Sequence, residues 1–271
     1  MGKRTRLSRL FHAESNRSFI VPMDHGATLG PIPGIVDAAR AMDWVGGVGG
    51  EAIQGVVLHR GAIERCASHE SAHRVPTRIL HLSASTAISP NPNAKTLVAS
   101  VEDALQFGAD AVSVHVNLGS ETEAVMLRDL GVVASRCQRW GMPLLAMVYA
   151  RAGGKTSAHY QDVKLAARLA AEMGADIVKV TYPGSAEAMN EVVEGCFVPI
   201  LIAGGDKDEG SCTVDMVRDA IAGGASGICI GRNLFQAARP GALASDLAQI
   251  VHGVVVRRDL VSLPSPAFGA T

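Results

Sequence analysis

The stretch "QDVKLAARLAAEMGADIVKVTYPG", residues 161–184, holds a complete helix-to-strand unit. Its first half has helical periodicity. Gly174-Ala175 then closes the helix and leads into a strand, the usual place for a glycine C-cap. Ile177, Val178 and Val180 are strand formers, and Tyr182-Pro183-Gly184 ends the run. One residue breaks the apolar pattern: Lys179 puts an ammonium group in what reads as a buried strand.

The unit recurs along the chain. Short apolar runs read "SFIVPMDHG", "AIQGVVLHRG", "RILHLSAST", "DAVSVHVNLG", "PLLAMVYAR", "DIVKVTYPG", "PILIAGG" and "SGICIGRN". Helical segments lie between most of them: "SVEDALQFGA", "EAVMLRDLGVVASRCQRW", "SAEAMNEVVEGC" and "TVDMVRDAIAGGA", besides the one already quoted. Eight strands alternating with helices predict an α/β fold, a (β/α)8 TIM barrel. An open doubly wound sheet would need a G-x-G-x-x-G turn after the first strand, and "MDHGATLG" does not supply it. No linker or second domain is visible, so residues 1–271 are expected to form a single barrel. A basic segment over 1–17 precedes it and a loose tail, "SLPSPAFGAT", closes it over 262–271.

Bulk properties narrow the function. The chain has 271 residues and is 48% hydrophobic, enough for a large core. A net charge of −1 gives no reason to expect nucleic acid or an anionic membrane as partner. No stretch approaches the ~18 apolar residues of a membrane span. The N-terminus lacks the apolar run of a secretory signal, and Arg6 stands where myristoylation needs Ser or Thr. Cys66, Cys137, Cys196, Cys212 and Cys229 are odd in number and form no C-x-x-C, which fits a reducing cytoplasm and not a structural zinc site.

In a barrel, inward side chains at the C-terminal strand ends face the active site. In "DAVSVHVNLG" the polar set Ser113, His115 and Asn117 alternates with Val112, Val114 and Val116, so the polar set is expected inside. The same parity turns Lys179 inward with Ile177 and Thr181, and Tyr149 inward with Met147. Desolvation disfavours the charged form of a buried lysine, so a depressed pKa and a neutral, nucleophilic amine are expected. Such an amine forms imines with carbonyls. Asp24 ends the first run and Tyr149 the fifth. A carboxylate can take a proton from carbon, and a phenol can give one to a developing alkoxide. Structurally, Asp24 could instead cap the next segment, and Tyr149 could be packing.

The seventh and eighth runs end in "AGGDK" and "IGRN". Loops after these strands commonly bind phosphate. Gly204, Gly205 and Gly231 allow close backbone approach, and Arg232 adds a forked donor. His25, His59, His81 and His115 near the first four strand ends leave open a zinc site that would polarise a ketone instead. A non-catalytic phosphate-binding barrel is the remaining alternative.

"VPMDHG", "LHRG", "HLSASTAISPNPNAK", "GADAVSVHVNLGS", "GMPLLAMVYAR", "GADIVKVTYPG", "VPILIAGG" and "GASGICIGRNLFQ" together resemble the archaeal-type class I aldolase family. Within it the chain looks most like the aminodideoxyheptulosonate synthases and their relatives in bacterial aminohydroxybenzoate biosynthesis. The likeness covers roughly residues 17–252. It implies an imine-forming Lys179, a proton acceptor at Asp24 and a proton donor at Tyr149. It implies substrate contacts at His25, Gly26, Ala27 and Thr28, at Ala150 and Arg151, and at Gly204, Gly205, Gly231 and Arg232. It also implies a phosphorylated ketose donor, a small aldehyde acceptor such as aspartate 4-semialdehyde, and a cytoplasmic homo-oligomer of the decameric kind. Fructose-bisphosphate aldolase is the alternative within the family. Imine chemistry needs no cofactor or metal, and none is expected. The family's Tyr-Pro-Arg-Gly is here Tyr149-Ala150-Arg151-Ala152, its Gly-Gly-Pro is Gly204-Gly205-Asp206, and Val180 replaces a threonine. These departures fall on the acceptor and phosphate loops and beside the lysine.

Overall fold

The computed structural model describes residues 2–68, 76–205 and 213–253. The predicted tail over 262–271, Asp206 and Cys212 lie outside the described residues. Among the described residues, eight parallel strands close into a barrel. They are β1 (Ser18–Pro22), β2 (Gly55–Leu58), β3 (Thr77–His81), β4 (Ala111–Leu118), β5 (Leu144–Ala152), β6 (Ile177–Val180), β7 (Ile200–Ala203) and β8 (Gly227–Cys229). Each pairs with its neighbours in chain order, and β8 closes on β1 through Phe19 opposite Ile228. All eight coincide with the apolar runs of the sequence.

Strand alternation splits the core in two. Val112, Val114 and Val116 face outward and pack with the surrounding helices, together with Met126, Leu130, Val133 and Cys137 of the helix Glu123–Trp140. Ile20, Val57, Ile79, Leu145, Ile177 and Leu201 fill the barrel interior. Local signals set the helix ends. Ser100 and Asp103 form a reciprocal capping box ahead of Val101–Gln106. The Ser185 hydroxyl accepts the Ala188 N–H at 3.1 Å ahead of Ala186–Glu194.

Two elements add to the expected picture. The basic N-terminal segment is structured: Gly2–Ser8 is helical, and Leu10 is fully buried against Ile20, Ile79 and the rest of the inner core. Two of its charges are paired, Lys3 with Asp176 at 2.9 Å and Arg9 with Asp110 at 2.5 Å. The segment therefore stoppers the N-terminal end of the barrel. A groove of about 780 Å³ lies at that end, between Arg9, His12, Gln54 and Arg78. It is remote from the strand ends that carry chemistry in barrels. Secondly, β5 runs on into a hairpin. Ala152 pairs with Lys155 across Gly153-Gly154, both at positive φ (58° and 80°), as a tight two-residue turn demands.

Candidate active site

A cavity of about 340 Å³ opens at the C-terminal strand ends. Lys179 from β6, Tyr149 from β5, Cys229 from β8 and Asp24 just beyond β1 line it together. Register explains the convergence, since Lys179 lies opposite Met147 on β5 and Leu201 on β7, both interior residues. Lys179 is 7% exposed. It shares the cavity with the Tyr149 hydroxyl and the Cys229 thiol, and both groups influence its titration. Tyr149 thus faces the same cavity as the lysine and is not only packing. Asp24 precedes the helical turn His25–Leu29, but its side chain makes no capping hydrogen bond. Its carboxylate faces into the cavity, 3.7 Å from His25 Nδ1 and 3.7 Å from His81 Nε2.

Electrostatics correct one expectation. Burial, the largest influence on Lys179, does push its ammonium down. Cys229, Tyr149 and Asp24 oppose it and together hold Lys179 above its ordinary value. Burial raises the Cys229 thiol to about 11 and raises the Tyr149 phenol, so both stay protonated at neutral pH. Asp24 is the anion that remains. Burial pushes its carboxyl up, but His81, His25 and Lys179 outweigh this and hold it well below the usual range. Burial also pushes His25 and His59 down, and His81 to about 4. The resting floor is therefore an Asp24 carboxylate facing a Lys179 ammonium, with neutral imidazoles around them. The amine must shed a proton before it can attack a carbonyl.

The cavity has cations at both ends. Gly204, Gly205, Gly231, Arg232 and Asn233 line the β7–β8 side. Asn233 donates to the Gly204 carbonyl at 2.8 Å and fastens the two turns together. Gly231 is required by close approach, since a Cβ there would lie 2.4 Å from the Pro22 carbonyl oxygen and 2.9 Å from His25. Across the cavity stand Arg151, Lys95, Thr156 and His115. Arg151 Nε donates to Asn117 Oδ1 at 2.7 Å, and its guanidinium also reaches Thr156 across the hairpin. Burial pushes the Lys95 ammonium down, Asp24 pushes it up and Arg151 pushes it down again, with a net lowering. Its Nζ donates to Ser85 Oγ.

His25 and Thr28 also line the cavity. Gly26 and Ala27 sit in an exposed turn and do not line it; Ala150 alternates with Tyr149 and Arg151 and points away. The four histidines do not form a metal cage. His81 Nδ1 is bonded to Ser113 Oγ at 2.8 Å, and His115 Nε2 to Asn117 Oδ1 at 3.1 Å. Among the described residues no three His, Cys, Asp or Glu side chains are placed to hold a metal ion. Reading strands alone missed Lys95, Asn233 and a role for Cys229. Lys95 and Asn233 lie beyond strand ends, where alternation gives no signal.

Comparison with known proteins places this site in a family. Residues 18–237 match the model of the DeoC/LacD family aldolases. The chain belongs to the DeoC/LacD aldolase family. This aldolase is 45% identical over 269 residues to a 2-amino-4,5-dihydroxy-6-oxo-7-(phosphonooxy)heptanoate synthase of Streptomyces griseus, covering 98% of this chain and 96% of that one. It is 43% identical to 2-amino-3,7-dideoxy-D-threo-hept-6-ulosonate synthase 1 of Archaeoglobus fulgidus, over 93% of this chain and 92% of the other. The aldolase also superimposes on a Schiff-base-forming fructose-1,6-bisphosphate aldolase with a TM-score of 0.82 and 28% identity, covering 92% of this chain and all of that one. No helix among the described residues is long and apolar enough to cross a membrane.

Proposed function

We propose that this aldolase joins dihydroxyacetone phosphate to L-aspartate 4-semialdehyde, giving a seven-carbon amino-keto acid phosphate. The observation that carries the reading is the cavity itself. One buried lysine lies between a glycine-rich end holding Arg232 and a second cationic end built by Arg151 and Lys95. Three carbons and a phosphate fit the first, and a four-carbon aldehyde ending in a carboxylate suits the second. The names of the Streptomyces and Archaeoglobus relatives support the same product class.

As the donor binds, Lys179 passes a proton to the Asp24 carboxylate and its amine attacks the ketone; Asp24 returns that proton to the former carbonyl oxygen, which leaves as water. Loss of water leaves an iminium, an electron sink one bond from the carbon to be activated. Asp24 takes the proton from that carbon, and the C–H electron pair forms the enamine. The enamine carbon attacks the aldehyde. Tyr149, kept protonated by burial, gives its proton to the new alkoxide. Water then hydrolyses the imine and frees Lys179, and the proton held by Asp24 passes to the Tyr149 phenolate through water, restoring both groups. Arg232 and the turns around Gly204, Gly205 and Gly231 hold the donor phosphate. Arg151 grips the acceptor carboxylate through its planar fork, with Lys95 as a second positive charge.

A crossed assay tests this. Dihydroxyacetone phosphate and a diketo-hexose phosphate are each offered with aspartate 4-semialdehyde and with glyceraldehyde 3-phosphate. Product is expected from the first donor with the amino-acid aldehyde. Turnover only with glyceraldehyde 3-phosphate would make the enzyme a fructose-bisphosphate aldolase instead.

A further inference from the structure

We propose that His115 determines specificity for the acceptor: its Nδ1 takes a hydrogen bond from the α-ammonium of an amino-acid aldehyde whose carboxylate is held by Arg151. The proposal rests on aspartate 4-semialdehyde being the acceptor, and it names the group that tells this aldehyde from one without nitrogen.

Asn117 fixes the state of the His115 ring. It is wholly buried and lies two residues from His115 on β4, so the two share a face of the strand. Its Nδ2 donates to the Asn93 carbonyl at 2.8 Å. Its Oδ1 accepts from Arg151 Nε at 2.7 Å and lies 3.1 Å from His115 Nε2. A guanidinium only donates and a carbonyl only accepts, so the amide cannot be turned round. Nε2 therefore carries the imidazole proton. Burial first, then Lys95 and His81, hold His115 well below its ordinary value, so the ring is neutral at neutral pH. A neutral ring protonated at Nε2 has a bare lone pair on Nδ1. Among the described residues Nδ1 has no hydrogen-bond partner, yet it is not sealed off as Asp24 Oδ1 and His25 Nδ1 are. The ring lines the cavity.

The same amide sets the spacing. Arg151 Nε and His115 Nε2 both stand within hydrogen-bond distance of Asn117 Oδ1, so guanidinium and imidazole are neighbours. An α-amino acid carries its carboxylate and its ammonium on one carbon and needs a forked donor beside an acceptor. The Arg151 fork supplies the first and Nδ1 the second. Lys95 and Arg151 are the cations that act on the ring. They repel an ammonium that arrives alone, so only one that brings its carboxylate is welcome there. The His115 ring also packs 5.0 Å from the Tyr149 ring. In the four-carbon acceptor the aldehyde carbon is two bonds from the carbon bearing both charges. A headgroup held beside Tyr149 can therefore present its carbonyl to that phenol.

The test offers two aldehydes to enzyme supplied with dihydroxyacetone phosphate: aspartate 4-semialdehyde, and succinate semialdehyde, the same chain without its amino group. The readout is the ratio of kcat/KM for the two, with borohydride trapping of the donor imine as a check that the site is folded. The unaltered enzyme is expected to favour the amino-acid aldehyde by about tenfold or more, the worth of a hydrogen bond to a charged group. His115→Phe keeps a ring beside Tyr149 but has no acceptor, and its ratio should fall towards one. If it does not trap the donor, His115→Leu, equally without an acceptor, is read in the same way. Slowing of both aldehydes with the ratio intact would make His115 merely structural and overturn the proposal. A ratio near one in the unaltered enzyme overturns it too, and leaves aspartate 4-semialdehyde as the acceptor. Turnover of neither four-carbon aldehyde overturns the underlying reading as well.

Discussion

Tyr149 and Lys179 stand on the inner faces of the neighbouring strands β5 and β6, with Lys179 opposite Met147, so both side chains open on the same cavity. The proton donor and the nucleophile assigned to this site therefore address the same few ångströms of space. Tyr149→Phe should still form the donor imine but slow carbon–carbon bond formation by about 100-fold or more, the usual size of one general acid–base contribution. Stopped-flow trapping beside steady-state turnover separates the two. Loss of trapping itself would assign Tyr149 to imine formation instead.

Arg232→Ala should weaken phosphorylated donors roughly 10- to 100-fold, the equivalent of the ~1.5–3 kcal/mol of a charged hydrogen bond. Competition between dihydroxyacetone and its phosphate for imine trapping reads this directly. Equal weakening of both would take Arg232 out of the phosphate site.

On the opposite wall, Arg151→Ala and Lys95→Met should raise the Michaelis constant for aspartate 4-semialdehyde while donor trapping stays near the wild-type level. Asn117 and Thr156 aim the Arg151 fork, so Asn117→Ala should reproduce a weaker form of the same effect. Equal loss of donor trapping would move Arg151 to the phosphate side.

Stability should fall with acid in a defined window. His81 and His252 are both held near 4, by burial first. In the unfolded chain each takes up a proton below its ordinary 6.5. Their contribution is thus fully present above 6.5 and is lost progressively as pH falls towards 4. The loss is on the order of 3 kcal/mol for wholly buried His81, and smaller for half-buried His252. Urea unfolding at neutral pH and at the bottom of this window measures it. A flat profile would mean that these imidazoles are not buried neutral.

The N-terminal stopper is a separate matter of packing. Leu10→Ala should cost about 2–5 kcal/mol by leaving a cavity in the inner core. Thermal unfolding reads the cost. Imine trapping by the folded fraction should be unchanged, since Leu10 sits at the far end of the barrel from Lys179.

The barrel was legible because each strand is a short apolar run cut off by Gly, Pro or polar residues. Period-two alternation correctly turned Ser113, Asn117, Tyr149 and Lys179 inward. What stayed hidden depended on contacts between distant segments. Leu10 lies in a run of basic residues, and only the barrel floor makes it a core residue. Gly153-Gly154 is a hairpin signal once β5 is known to continue through Ala152, but the preceding Ala-Arg gave no strand pattern. Lys95 follows two proline turns with no period at all. The sign of the Lys179 shift was hidden for the same reason: burial was readable, but the placement of Cys229, Tyr149 and Asp24 around the amine was not.

Imine formation at Lys179 is tested most directly by borohydride reduction in the presence of dihydroxyacetone phosphate, followed by peptide mass analysis. The expected result is one stoichiometric adduct, on Lys179, with activity lost in proportion and both adduct and activity absent in Lys179→Ala. An adduct on another lysine, or aldol activity surviving in Lys179→Ala, would contradict it.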